Sequence, residues 1–286
     1  MFSTFDDIVF SIILVSPIAF FYTLAKKHWL DNNLSKAFWN GIIFGVLAVF
    51  FVKLIYIPIG IYLGGQIHDF LYSTREWYII LIASIGIVGF VEEGFKALGA
   101  HIVCCFNRTD GFRPTFVFMS FAGCALSFSF LENLQYYYIY GASIVLPRII
   151  VNSVAHLAFA SICGYYSSIA FNLPKSPGKT AIFLNLGLLI SSILHGIFDF
   201  LITRCNGFSI ISLSGLIISL ISVLIFIIYE IWIEALKHDL PPEGTLLICS
   251  SCRALTVERI RFCPFCGNRI KKVDSFPTII RETKTN

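Results

Sequence analysis

The chain has 286 residues, 57% of them hydrophobic and only 13% charged, with a net charge of +4 and a mean hydropathy of +0.80. Soluble domains carry about 25% charged residues, so this composition excludes an ordinary water-soluble protein and places most of the chain in lipid. The modest net charge gains meaning only from its distribution along the chain.

A spanning helix needs about 20 mostly apolar residues, and seven segments qualify: 8–25, 41–64, 78–105, 116–140, 148–171, 181–203 and 210–232. The first follows an N-terminus, "MFSTFDD", that has no Lys or Arg. It lacks a clear small-residue cleavage site, so it reads as a retained span. Aromatic residues crowd several ends, as at Trp77–Tyr78, Tyr136–Tyr140 and Trp232, where interfacial belts form. Lys53 sits mid-helix near Pro58 and reads as snorkelling or paired. The connectors after helices one, three and five carry Lys26, Lys27, Lys36, Arg108, Arg113, Lys175 and Lys179, against Arg75, Arg148 and Arg204 after helices two, four and six. Seven against three puts the N-terminus outside and the C-terminal tail in the cytosol.

Helices three to six carry polar groups that lipid rejects. Helix three holds Glu92, Glu93 and Lys96; helix four, Glu132 and Asn133; helix five, Asn152 and His156; helix six, His195 and Asp199. One charge at a helix centre costs about 2.5–3.5 kcal/mol on insertion scales. Residues four apart share a face, so His195 points with Asp199, Asn152 with His156, and Glu92 can pair with Lys96. With the orientation above, Glu132, His156 and His195 lie roughly 12 Å deep at 1.5 Å rise per residue. A single polar cavity accounts for all four helices. Carboxylates and imidazoles around such a cavity suit hydrolysis, either through a general base on water or through a divalent metal. No serine or cysteine is placed with the histidines as a triad requires. Asn133 and Asn152 read as interhelical glue. The bland reading of each group alone, a structural pair or an interhelical hydrogen bond, gives way to the constellation.

These residues resemble the PrsW family of intramembrane proteases, which belongs with the CAAX-processing and bacteriocin-immunity membrane proteases. "EEGFK" is similar to its EExxK motif through Glu92, Glu93 and Lys96. "FSFLEN" is similar to Phe-x-x-x-Glu-Asn through Phe128, Glu132 and Asn133. "HGIFD" is similar to HxxxD through His195 and Asp199, and His156 stands where a helix-borne His is expected. The resemblance covers roughly residues 85–203. It implies cleavage of a peptide bond within or beside a membrane segment, by a metalloprotease or a metal-free glutamate protease. CAAX proteases carry His in the second motif and Asn at the end of the last. Glu132 and Asp199 depart from that pattern, argue against prenyl-protein processing and add carboxylates suited to a metal.

Beyond "HDLPPEGT" the composition changes. Cys249, Cys252, Cys263 and Cys266 form two CxxC pairs ten residues apart, the pattern of a closed, structural four-cysteine zinc ribbon. A reducing cytosol suits its thiolates. The other five cysteines are scattered in or beside apolar segments and read as small packed thiols. The basic residues of the ribbon suit a solvated face, lipid head groups or a cytosolic protein partner, and nothing further supports nucleic acid.

The expected architecture is an all-α, polytopic membrane helix bundle of about seven spans (1–240, with a protease-like core at about 85–203), a cytosolic zinc ribbon (246–274) and a loose tail (275–286). The expected function is intramembrane endopeptidase. Its catalytic set is Glu92, Glu93, Glu132, His156, His195 and Asp199; its cofactors are structural zinc and a divalent catalytic metal; its partners are a membrane-protein substrate and the bilayer. A proton- or ion-coupled transporter or receptor is the rival, since such groups also build proton relays. A non-catalytic scaffold with a zinc-ribbon docking module is a third reading.

Overall fold

The computed structural model describes residues 4–28, 32–63, 76–107, 113–172, 177–204, 225, 229, 246–248 and 255–257. The chain divides into two compact units, Met1–Ala235 and Leu236–Asn286. In the first, the described residues include six helices in chain order: α1 (Thr4–His28), α2 (Asn32–Leu63), α3 (Trp77–Phe106), α4 (Pro114–Tyr140), α5 (Ala142–Asn172) and α6 (Pro177–Arg204). In the second, β1 (Leu246–Ile248) pairs antiparallel with β2 (Leu255–Val257), Leu247 opposite Thr256.

Five helices, α2 to α6, are long and apolar enough to span a bilayer among the described residues. Two of the seven expected spans are not among them. The apolar part of α1, Phe10–Lys26, is shorter than a full span; the segment 210–232 lies outside the described residues, as do the four tail cysteines. Pro17 interrupts α1 and cannot donate to the carbonyl of Ile13. Ser16 Oγ donates to that carbonyl instead at 2.7 Å, the internal repair that a lipid environment demands.

The centre of the bundle is α4, 83% of whose apolar window is buried, followed by α5 at 72%, against 22% for α2. Outward faces of α2, α3 and α6 expose Phe50, Leu54, Ile57, Ile82, Leu189 and Leu194, a surface suited to acyl chains and not to water. Lipid removes the hydrophobic drive between helices, so close approach through small residues takes its place. Gly41 and Gly45 of α2 lie directly on α4: a Cβ on Gly41 would strike the carbonyl of Ser120, and one on Gly45 would strike Ser127 Oγ and the carbonyl of Cys124.

Two local features aim the polar groups. Gly141, at φ 81°, ends α4 with its N–H on the carbonyl of Tyr137 at 2.9 Å, and α5 starts at the next residue. Only glycine takes that backbone without strain. Glu132 and Arg148 thus sit nine residues before and seven after a tight turn, at one level of adjacent helices. In α3, a π-helical stretch, Ser84–Gly89, precedes the glutamates. A π turn holds an extra residue, which rotates the downstream part of the helix by ~100° relative to an unbroken α-helix. Gly196 of α6 packs against Ile85 there, and Gly89 against Ser192, so α6 seats His195 beside the glutamates.

The glycine contacts give a direct test. Gly45→Leu overpacks the α2–α4 seam and should cost about 1–3 kcal/mol, read as a lower melting temperature in detergent. Gly94→Ala, which faces open space, should leave melting unchanged or raise it.

Candidate active site

All six residues expected to carry chemistry converge, together with Lys96. Glu92, Glu93, Lys96, His156 and His195 are buried at 5% exposure or less; Glu132 and Asp199 are part-buried. The ion pair in α3 is Glu93–Lys96, at 2.5 Å, and not Glu92–Lys96. Both spacings share a helix face, and the i,i+3 partner is the one taken.

Lys96 Nζ also meets His156 Nδ1 at 2.8 Å. An ammonium only donates, so Nδ1 accepts and the imidazole proton sits on Nε2, which donates to Glu132 Oε2 at 2.7 Å. His195 has the opposite arrangement. Its Nδ1 lies 2.8 Å from Glu93 Oε1; a carboxylate only accepts, so Nδ1 carries the proton and a neutral His195 presents the Nε2 lone pair. That lone pair lies 3.8 Å from Glu92 Oε2 and 3.6 Å from Asp199 Oδ2. The two rings are edge-on with centroids 5.1 Å apart. Phe159 stacks on His195, and Phe128 covers both His156 and the Lys96 ammonium.

The three glutamates differ in what remains free. Glu93 is fully engaged: Lys96 and His195 on Oε1, Ser191 Oγ on Oε2 at 3.0 Å. Glu132 is engaged by Arg148 at 2.6 Å on Oε1 and by Asn152 at 3.0 Å and His156 on Oε2. Glu92 accepts from the Tyr56 hydroxyl on Oε1 at 3.1 Å, while its buried Oε2 has no hydrogen-bond partner. Buried polar atoms are rarely left so; this one points to a group that enters the site.

The sequence pattern does not single out Tyr56, Arg148 or Ser191. Tyr56 lies on α2, outside the four motif-bearing helices, and its only signal is a polar group beside Lys53 in an apolar run. Arg148 counts as a connector charge in the sequence; it lies inside α5, its guanidinium 3.8 Å over the Tyr136 ring. The charge count that sets orientation therefore loses one outer arginine. Asn133 and Asn152 hydrogen-bond with Ser129 between α4 and α5, as expected of interhelical glue.

Glu92, His156 and His195 each offer a ligand atom, all within 4.8 Å of one another. Two ligands of a tetrahedral zinc with bonds near 2.0–2.1 Å lie about 3.3 Å apart, close to the spacing of His195 Nε2 from Glu92 and Asp199. A metal-binding histidine ordinarily gives its other N–H to a carboxylate, as His195 does to Glu93. Glu92 and His195 thus fit a divalent metal as they stand. His156 would first have to exchange its bond to Glu132.

The family model described as "PrsW family intramembrane metalloprotease" matches residues 31–231. Two curated relatives named Protease PrsW are similar to the chain. One, from Shouchella clausii (strain KSM-K16), is 30% identical over 115 residues, 40% of this chain and 52% of the relative. The other, from Clostridioides difficile (strain 630), is 31% identical over 144 residues, 46% of this chain and 56% of the relative. The chain spans about half the length of these relatives. No solved structure matches it.

The Glu132–Arg148 pair yields a stability test. Arg148→Met leaves a part-buried carboxylate short of its cation; adding Glu132→Gln removes that charge. The coupling between the two changes should be about 1.5–3 kcal/mol, the range for hydrogen bonds to charged groups, measured by unfolding the four variants of the cycle in detergent. Additive effects would show that the contact is not maintained in the folded bundle.

Proposed function

Because this chain belongs to the PrsW family of intramembrane metalloproteases, and is an integral, multi-pass membrane protein, we propose that it is an intramembrane endopeptidase. It hydrolyses a peptide bond within or beside a membrane segment of a protein substrate. The observation that carries this reading is the buried Glu92 Oε2, without a hydrogen bond, facing His195 Nε2, which also faces Asp199 Oδ2. Family membership favours it over a proton-coupled transporter or a scaffold.

Glu92 is the group that acts on water: its free Oε2 accepts the proton as water attacks the peptide carbonyl. Tyr56 fixes the carboxylate by holding Oε1. Glu93 acts through others, orienting His195 through Nδ1 and restraining Lys96. With its proton on Nδ1, His195 suits a metal ligand or a water acceptor better than an oxyanion donor. Glu132 positions His156. In a metal-dependent form of the reaction Glu92 would be a ligand instead of the base: with His195, completed by Asp199 or His156, it would hold a divalent metal, which supplies Lewis-acid activation of water near neutral pH. Phe128 and Phe159 pack around both imidazoles and keep bulk water from the polar network.

The seven-span arrangement with an outer N-terminus, and the cytosolic ribbon held by zinc on Cys249, Cys252, Cys263 and Cys266, are parts of the same proposal. They rest on sequence pattern alone. No ribbon residue belongs to the motif-bearing helices, so the ribbon would serve substrate recruitment or control.

The two neighbouring glutamates separate chemistry from architecture. In vesicles with a single-span substrate, Glu92→Gln should lower kcat by at least about 100-fold, the lower range for loss of a general base, with melting unchanged because Oε2 has no bond to lose. Glu93→Gln should lower both kcat and melting temperature. Normal cleavage by Glu92→Gln would overturn the proposal.

A further inference from the structure

A narrow cleft lies between α2, α3 and α4 and reaches two of the site carboxylates: Lys53 of α2, Glu92 of α3, and Glu132, Gln135 and Tyr136 of α4 line it. Lys53, Glu132 and Gln135 are each half-buried, so the cleft runs from the outside of the bundle to Glu92.

Lys53 is the anomaly in it. It lies ten residues before the end of α2 at Leu63, roughly 15 Å along the axis at 1.5 Å per residue. On the expected span 41–64 that is half of a hydrocarbon core about 30 Å thick. Its ammonium lies 5.8 Å from the Tyr56 ring centroid, and Tyr56 in turn holds Glu92. Among the described residues it has no ion-pair partner. The other carboxylate at the rim, Glu132, is already matched by Arg148 at 2.6 Å. An ammonium without an ion-pair partner among the described residues is costly at this depth and marks a place for an anion to arrive.

We infer that this cleft is a recognition subsite for an acidic side chain of the substrate segment, with Lys53 as its counter-charge. This rests on the protease reading and deepens it. An aspartate or glutamate in a membrane segment carries the same penalty as Lys53, and pairing the two relieves both. The pairing places the adjoining peptide bonds next to Glu92. Lys53 sets specificity and takes no part in bond breaking.

The test uses full-length protein in vesicles and a single-span substrate carrying Asp, Asn or Lys in turn at positions around the cut bond. Wild type should cut the best Asp form at least about tenfold more efficiently in kcat/KM than the Asn form, through KM, one 1.4 kcal/mol step in binding. Lys53→Gln should lose that preference and still cut the Asn form. Lys53→Glu should prefer the Lys form. The same segments, fluorescently labelled, are titrated onto Glu92→Gln with and without the Lys53 changes, so that preference is read in binding even without cleavage. Absence of cleavage by wild type on all forms would break the protease reading. Binding or cleavage blind to substrate charge, or unchanged by Lys53→Glu in a protein that melts normally, would overturn this inference.

Discussion

The Lys96–Glu93 ion pair, with both side chains almost wholly buried, is the constraint on which the rest of the site depends. An ion pair inside a bundle is expensive unless every remaining donor and acceptor is met, and here the requirement spreads outward. The ammonium needs a second acceptor and finds His156; the carboxylate needs further donors and finds His195 and Ser191. Each histidine is then fixed in one tautomer, and the two tautomers are opposite. His156 becomes a donor, which Glu132 answers, and Glu132 needs Arg148 and Asn152. His195 carries a proton on Nδ1 and turns Nε2 toward Glu92. One pair in α3 thereby fixes side chains on α4, α5 and α6, while the buried Oε2 of Glu92 is left without a hydrogen bond.

The backbone serves the same end. The π-helical stretch sets the rotation of the glutamates, Gly196 lets α6 approach α3, and the one-residue turn at Gly141 levels Glu132 with the polar residues of α5. α2, which carries none of the motif residues, supplies the Tyr56 hydroxyl and a wall of the cleft. Such division of labour suits a protein in lipid, where polar contacts and close backbone packing hold helices together.

Much of this is legible in the sequence because membrane segments make polar residues conspicuous. The i,i+4 spacing of His195 with Asp199 and of Asn152 with His156 indicates the correct faces, and the convergence of four helices comes from depth. Other features are hidden for physical reasons. A glutamate pair offers Lys96 two partners of similar geometry, so only packing decides. A π-helical stretch has no distinctive composition. Arg148 sits at the edge of an apolar run, where a connector charge and a buried counter-ion look alike. Tyr56 reads as an ordinary interfacial or core aromatic until its hydroxyl is seen on Glu92. The count of spans falls because the apolar part of α1 is short and 210–232 lies outside the described residues.

The opposed tautomers carry the greatest weight, since they assign one histidine to donate and the other to accept. Nitrogen-15 NMR of histidine-labelled protein in bilayers, with the His156 and His195 signals assigned by substitution of each, reads this directly. The expected spectrum shows a proton on Nε2 of His156 and on Nδ1 of His195 in the metal-free protein. A proton on Nδ1 of His156, or none on Nδ1 of His195, would contradict the assignment.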